Sequence, residues 1–526
     1  MHVPSLPTSA ARRLVRLTAV TAAGLLTAIT SVPGAAAGQY RQEPVSSAVD
    51  TYLSSVLNES AIPGAAVAVT RGDRVLLVRG YGVDSQDTPV TEESLFRIAS
   101  LSKSFTALAV MQLVDAGLLD LDDPVQEHLP EFQLADPRAG QITVRHLLNH
   151  TSGLTDAQVP EVSRPQPSTP TEATTSLRSA RLASTPGRSY SYHNPNYHVA
   201  ARLVEVLSHE PFSQYLRRHI FEPAGMTSTT STVTDDQPVP GLADGHVVAY
   251  GHAIPVSGLG GFTVGDGGIV STAADMARWL TVNANGGRAA DGTRIVSARG
   301  MRLLHTPSSP QVKYALGWDT DGAEAPRRLE HSGTLHTFSA EEALWPGSGY
   351  GVVLLFNAGS PMLMDQNAIV HGVFDIVEGT TQPAEGPGLA ERLDTTLALL
   401  TIITLGLGAC GVVRAGRWAR RRHGSPLVAA LRLTPIVILL AVGAAFPRLL
   451  ELWIGRDLTW RAAAYGWPAL VLFMAAVLAA TGATLLARSW QLLNRTDAAP
   501  PPGPPSRGGP ALSTSAKTRH SAQGAT

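Results

Sequence analysis

Three long apolar runs near the C-terminus constrain this chain more than any other feature. Residues 395–413 carry no charge, residues 426–446 are interrupted only by Arg432 and Pro435, and residues 464–487 are again uncharged. Each is close to the roughly 20 residues a helix needs to cross a bilayer. A chain carrying three such runs is expected to place them in a membrane, and the rest must fold around that. The connecting segments differ in charge. Between the first two runs lie Arg414, Arg417, Arg420, Arg421 and Arg422. Between the last two lie Arg448, Glu451, Arg456, Asp457 and Arg461, nearly balanced. Excess Arg marks the cytoplasmic side. The first connection is therefore expected inside, and everything before the first run outside. The C-terminus returns inside, where Arg488 and Arg495 fit the same rule.

The N-terminus gives the same orientation independently. Arg12, Arg13 and Arg16 precede an apolar stretch over 17–30, and Ala35-Ala36-Ala37 offers a small-residue cleavage site. This is the pattern of a secretory signal. The expected organisation is a signal peptide over 1–37, an exported body over 38–390, a three-helix transmembrane region over 391–490, and a Pro-rich disordered cytoplasmic tail over 491–526.

Charge follows these divisions. The formal net charge of −1 argues against a nucleic-acid binder but conceals a split. Residues 1–37 hold three Arg and no acid, 38–390 hold 23 basic and 37 acidic residues, and 391–526 hold 15 basic and 5 acidic. An apolar content of 44% excludes a mostly disordered chain. The single cysteine, Cys410, lies in the first apolar run, so the body has no internal disulfide.

Within the body, helical spacing runs over 45–57, 102–116, 143–149, 197–207, 212–221 and 362–377. Strand-like runs cover 65–70 and 75–78 around an Arg71-Gly72-Asp73 turn, then 314–319, 327–330, 338–345 and 350–356. Residues 157–180, rich in Pro, Ser and Thr, read as a loop. Thr272 with Asp275 resembles a capping box. Strands at both ends with helices between predict an α+β fold whose sheet is completed by both termini.

Ser100-Leu101-Ser102-Lys103 is the central chemical candidate. Three-residue spacing puts Ser100 and Lys103 one helical turn apart on one face. A serine becomes a nucleophile only beside a base, and lysine serves as one only if its surroundings lower its pKa. Composition sharpens this: of 41 basic residues only Lys103, Lys313 and Lys517 are lysines. Arginine cannot release its proton in a protein, whereas lysine can. Two short motifs follow in order: Tyr192-His193-Asn194 and His331-Ser332-Gly333.

The order S-x-x-K, Y-x-N, H-x-G resembles the serine β-lactamase and penicillin-binding-protein superfamily, particularly the class C β-lactamase-like serine hydrolases. Residues 96–107 around Ser100 look like that family's nucleophile segment. Residues 143–154 are similar to its T-x-x-H-L-L-x-H-T-S-G-L stretch, and 267–279 to its G-G-x-x-S-T-A-x-D-x-A-R-W segment. The resemblance runs from about 45 to 380 and does not reach the apolar runs. It implies a β-lactamase-like fold: an antiparallel sheet flanked by helices plus an all-helical region.

Roles carry over residue by residue as expectations. Ser100 would be acylated and Lys103 would relay its proton. Tyr192 would act as general base and proton donor, as a phenolate if Lys103 lowers its pKa. Asn194 would bind the substrate carbonyl or amide and orient Lys103. His331 and Gly333 would line the substrate site, and the N–H groups of Ser100 and Thr334 would form the oxyanion hole. No cofactor or metal is called for.

Two departures matter. A lysine in the third motif offers a permanent cation, while His331 is mostly neutral at neutral pH, which disfavours efficient β-lactam hydrolysis. His193 stands where small residues are commoner. His146 and His150 lack the following Glu of a zinc-peptidase helix, and Asp120, Asp122 and Asp123 do not have the spacing of a calcium loop. The expected partners are a small-molecule or peptide substrate and membrane lipid. The expected function is a membrane-anchored serine hydrolase acting on D-amino-acid peptides or amides, esters or β-lactams. A carboxylesterase of the same fold and a slow-deacylating ligand sensor are the alternatives.

Overall fold

The structure, a computed structural model, describes residues 45–309, 311–322, 325–359, 366–380, 389–420 and 426–496. The expected signal peptide, residues 362–365 of the expected 362–377 helix, residues 497–526 of the expected tail, and Arg421 and Arg422 lie outside the described residues; residues 491–496, read as the start of that tail, instead continue the Pro468–Thr496 helix.

One antiparallel sheet organises the body. Its strands are β1 (Gly64–Arg71), β2 (Arg74–Gly82), β3 (Asp319–Thr320), β4 (Leu329–Thr334), β5 (Ser339–Trp345) and β6 (Tyr350–Phe356), in the order β2-β1-β6-β5-β4-β3. The N-terminal hairpin thus pairs with the last strand, Ala65 opposite Phe356 and Arg71 opposite Tyr350. β1 is buried along all but its final residue, as expected when both faces of a sheet are covered. Alternation divides its side chains. Ala65, Val67 and Val69 join Val352, Leu354 and Phe356 in a core beneath the Val45–Ser60 and Gln366–Glu378 helices. Ala66 and Ala68 face the larger helical core on the other side.

The Ser102–Asp115 helix runs through that larger core and is buried almost all round, the pattern of a central rather than a surface helix. Phe105 on it stacks on Trp279 of the Ala273–Ala284 helix, with ring centroids 3.6 Å apart.

Several local expectations change. Residues 314–319 are not a continuous strand. Ala315 N donates to Trp318 O at 2.8 Å, folding the segment into a tight turn, and only Asp319–Thr320 joins the sheet. Residues 157–180 contain a short Pro170–Thr175 helix, because Thr169 accepts the Glu172 N–H and Pro170 occupies the first turn. Only half the capping box at Thr272 forms. Its hydroxyl accepts the Asp275 N–H, while the Asp275 carboxylate binds Ser228, Thr229 and Arg278 instead.

The apolar runs form three helices, with spans over Arg392–Val413, Leu427–Ala444 and Pro468–Asn494 long and apolar enough to cross a membrane. Ile402, Leu407, Leu431 and Leu486 stand exposed on their outer faces, an arrangement that water penalises and lipid does not. Gly408 and Gly411 meet Ala480 and Thr484. A Cβ on Gly408 would sit 2.5 Å from that of Ala480, so small residues set how closely the first and third helices approach.

Candidate active site

Ser100 lies on a short 3-10 turn, Ala99–Leu101, that feeds directly into the Ser102–Asp115 helix. Ala99 holds φ at +50°, a left-handed conformation that costs a non-glycine residue about 1–3 kcal/mol and persists only where the surroundings impose it. What imposes it is β4. Gly333 packs against this turn so closely that a Cβ there would lie 2.6 Å from Ile98 O and 3.2 Å from Ala99 Cβ. Any side chain at 333 would push the strand, and with it Thr334, away from Ser100.

Around Ser100 the expected partners converge. Lys103 Nζ lies 3.0 Å from Ser100 Oγ, and the Tyr192 hydroxyl donates to the same oxygen at 2.9 Å. Lys103 is fully buried. Its second hydrogen bond runs to the Asp266 carbonyl at 2.9 Å. Burial is the main reason its amine is pulled down to about 8, against the opposing carboxylates of Asp266 and Glu161. That brings a free amine within reach near neutral pH. With a neutral lysine, the Ser100 hydroxyl donates to Nζ and accepts from Tyr192, so one oxygen is both deprotonated and oriented.

Burial pushes the Tyr192 phenol well above the ordinary value, and the hydrogen bond to Ser100 does not reverse this. The surroundings therefore favour the neutral phenol, which donates to Ser100 Oγ. The Asn194 Nδ2 and backbone N–H both donate to Glu161, at 2.8 and 2.9 Å. The Asp266 carbonyl, not Asn194, orients Lys103. The Asn194 Oδ1 is buried without a partner.

His331 is buried between aromatic rings. Its Nδ1 donates to the Ser332 carbonyl at 2.8 Å, which leaves Nε2 to accept from the Tyr314 hydroxyl at 2.9 Å. Burial first, then the nearby Lys103, push it down to about 3, so it is neutral at physiological pH. His193 points away from Ser100, fully buried, with Nδ1 2.9 Å from Glu161 Oε1. His146 caps its own helix, its Nδ1 accepting the Thr143 N–H. His150 packs on the Tyr192 ring, with centroids 4.4 Å apart. The two histidines have separate structural contacts.

Motif reading missed one part of the site. Arg456, between the second and third apolar helices, reaches Asp156 Oδ2 at 2.8 Å and Glu161 Oε2 at 2.9 Å. Its guanidinium carbon lies 5.7 Å from the centre of the Tyr192 ring. Among the described residues, Asp156, Glu161 and His193 also form the one cluster with metal-ligand spacing, and Arg456 supplies a cation there. The sequence marks Arg456 only as one of five charges in a nearly balanced connection between two apolar runs.

Two cavities adjoin the site. One of about 280 Å³ is lined by Glu161, Asn194, Asp266, His336 and Arg461 among others. Ser100 is not one of its walls, but Asp266, which holds Lys103, is. A second, of about 330 Å³ and almost wholly apolar, runs from Thr334 and Leu335 to Phe446, Leu450, Trp467 and Leu470.

Comparison with known proteins agrees with this geometry. The beta-lactamase family model matches residues 48–371. Protein flp of Staphylococcus aureus (strain MW2) is 27% identical over 371 residues, covering 68% of this chain and 73% of that protein. Penicillin-binding protein 4 of Amycolatopsis lactamdurans is 31% identical over 324 residues, 58% of this chain and 84% of that one. Two solved structures share the fold. The octameric penicillin-binding protein homologue from Pyrococcus abyssi has a TM-score of 0.53 at 23% identity, covering 64% of this chain and 78% of its own. EstCE1, described as a hydrolase with promiscuous acyltransferase activity, has a TM-score of 0.54 at 22% identity, covering 64% and 99%. A Ser–Lys–Tyr arrangement on this fold, with a family match over most of the body, places the chain in the beta-lactamase family as a serine hydrolase.

Proposed function

We propose that this protein is anchored by its three apolar helices and hydrolyses small extracytoplasmic acyl compounds through an acyl-enzyme on Ser100. The observation that carries this reading is the convergence of Lys103 Nζ and the Tyr192 hydroxyl on Ser100 Oγ. Lys103, as free amine, takes the Ser100 proton while Oγ attacks the acyl carbon. The Ser100 and Thr334 N–H groups receive the developing oxyanion. The tetrahedral adduct then collapses. The leaving group departs with the Tyr192 proton, which the Lys103 ammonium replaces. Water attacks the ester by the same route in reverse roles, releasing the acid and free Ser100.

The site also bears on substrate choice. His331 carries no charge to meet a substrate carboxylate, which disfavours β-lactams. The apolar cavity beginning at Thr334 favours an apolar acyl portion. Esters and D-amino-acid amides or peptides of that kind are the preferred donors. Contacts between the 445–467 segment and the body support the orientation read from charge, since a segment packed on the body shares its side of any membrane the helices cross. The same contacts favour a second reading, a slow-deacylating sensor that signals through the helices.

The test uses the full chain in detergent with a fluorescent alkylphosphonate. Labelling is expected in the parent and absent in Ser100→Ala; labelling that survives would sink the assignment. A turnover panel of nitrocefin, p-nitrophenyl esters and D-Ala peptides then ranks donors. Fast nitrocefin turnover would refute the reading of His331. An adduct stable for hours with every donor would favour the sensor.

A further inference from the structure

The segment between the second and third apolar helices does more than connect them. Asp457 accepts the backbone N–H groups of Val162 at 2.7 Å and Ser163 at 2.6 Å, and its own N–H donates to Asp156 at 3.2 Å. This anchors the segment on the 156–163 loop of the body. Arg456 then extends into the site. It binds Asp156 and Glu161 through its guanidinium, and a third nitrogen lies 3.4 Å from the Tyr192 carbonyl oxygen. Glu161 is the hub. One of its oxygens meets Arg456, the Asn194 side chain bonds to that same oxygen, and the other oxygen accepts the Asn194 N–H and lies beside His193. A charge and a hydrogen-bond chain therefore connect the membrane region to all three residues of the Tyr192–Asn194 motif. Two cations also flank one ring: Lys103 Nζ is 4.8 Å and the Arg456 guanidinium 5.7 Å from the Tyr192 centroid.

We propose that Arg456 is a positioning residue for the Ser100 chemistry, contributed by the segment between the second and third apolar helices: it holds Asn194 in place through Glu161, meets the Tyr192 carbonyl directly, and sets a fixed positive charge by the same Tyr192 ring that Lys103 faces. The inference rests on the reading of Ser100 as the acylated residue. Its physical basis is twofold. Asp156 and Glu161 are nearly buried side chains, 6% and 11% exposed. Removing their cation leaves two carboxylates close together in low dielectric, so either one takes up a proton or the 156–163 loop shifts to solvate them, and both change the contacts Glu161 makes with Asn194 and His193. A nearby positive charge also disfavours the ammonium form of Lys103, and Arg456 acts on Lys103 in that direction. Facing Lys103 from the surrounding elements are Tyr192, Tyr197, His150, His331, Asp266 and Glu161. Of the cations among these groups and Arg456, the arginine is the one that no pH in the working range removes. Any motion of the second and third helices that withdraws Arg456 would therefore slow acylation, which makes the membrane region a control element for the site.

The test compares full-length parent, Arg456→Met, Arg456→Lys and the double variant Glu161→Gln/Arg456→Met in detergent. The readouts are kcat and KM on a p-nitrophenyl ester and the alkylphosphonate labelling rate against pH. Arg456→Met should lower kcat by about ten- to a hundredfold through misplacement of Tyr192, with KM little changed. Its acidic limb should move to higher pH by about half a unit or more as Lys103 regains proton affinity. Arg456→Lys should keep the limb near the parental pH and recover part of the rate. If Arg456→Met does not fold, the double variant removes one of the two uncompensated carboxylates; because Glu161 and Arg456 act on Lys103 in opposite directions, its limb should return to the parental pH or below while kcat stays low, and a parental kcat would overturn the proposal. An unchanged kcat and an unchanged limb in a folded variant would overturn the proposal. Ser100→Ala, run alongside, separates failures: if it retains labelling, the underlying reading falls instead.

Discussion

Two groups of buried ionisable side chains sit next to each other, and they solve burial in opposite ways. In the first, Lys103 touches the neutral oxygens of Ser100 and Asp266, with no counter-ion in direct contact, and burial pulls its amine to about 8. In the second, burial likewise opposes ionisation of Glu161, but the His193 contact and the Arg456 charge outweigh it and hold the carboxyl well below its usual range. An uncompensated buried charge titrates near neutrality and becomes reactive. A compensated one stays charged and rigid. The reactive group here is braced by the rigid one, and the brace comes from a segment about 295 positions away in sequence.

The contrast can be broken most decisively at Lys103. Lys103→Met and Lys103→Arg should both lose about 10²–10⁴-fold in acylation rate, because a base, not a positive charge, is required. An Arg variant that kept activity would show that only the charge matters. Tyr192→Phe removes a donor to the leaving group but leaves the base, so a smaller loss is expected, about 10²-fold in kcat for poor leaving groups and less for p-nitrophenyl esters. Gly333→Ala tests the geometry of the reactive group alone. Its methyl would meet Ile98 O at 2.6 Å, so both thermal midpoint and acylation rate should fall, with the pH limb unmoved.

The pH profile itself has a defined sign. Lys103 must be unprotonated to act, so acylation should rise with pH through about 8 and then level. A bell centred well below 7 would contradict the assignment of Lys103 as base.

The gentlest test uses a third buried group. Glu341 on β5 is pushed up to about 8, first by burial. Its folded value lies above its unfolded one, so its contribution to stability is complete below about 4.5 and lost as pH rises through about 8. Glu341→Gln should therefore raise the thermal midpoint at pH 8 and leave it nearly unchanged at pH 5. Equal effects at both values would mean that Glu341 has a compensating partner, like Glu161.

How much of this was legible follows from the range of each interaction. Ser100 and Lys103 are one turn apart, so their pairing needed only helical spacing. The short helix read over 143–149 and the hairpin at Arg71-Gly72-Asp73 are likewise local, and both stand in the fold. The strand read over 314–319 failed because its alternation continues through a turn closed by Ala315 and Trp318. The surroundings of Asn194 and Tyr192 were not legible, because Glu161 and the groups that bury the phenol come from other segments.

The sequence by itself determined the three apolar helices, the split of charge about them, and the order of the Ser100, Tyr192 and His331 motifs, since each is written in composition or short spacing. Only the tertiary structure decided which groups share a dielectric environment: that Lys103 is fully buried with neutral partners, that His331 is buried among aromatic rings, and that Arg456 reaches from between the second and third apolar helices to neutralise Glu161. Protonation depends on solvent exclusion and on charges within a few ångströms, and neither is fixed until distant segments pack together.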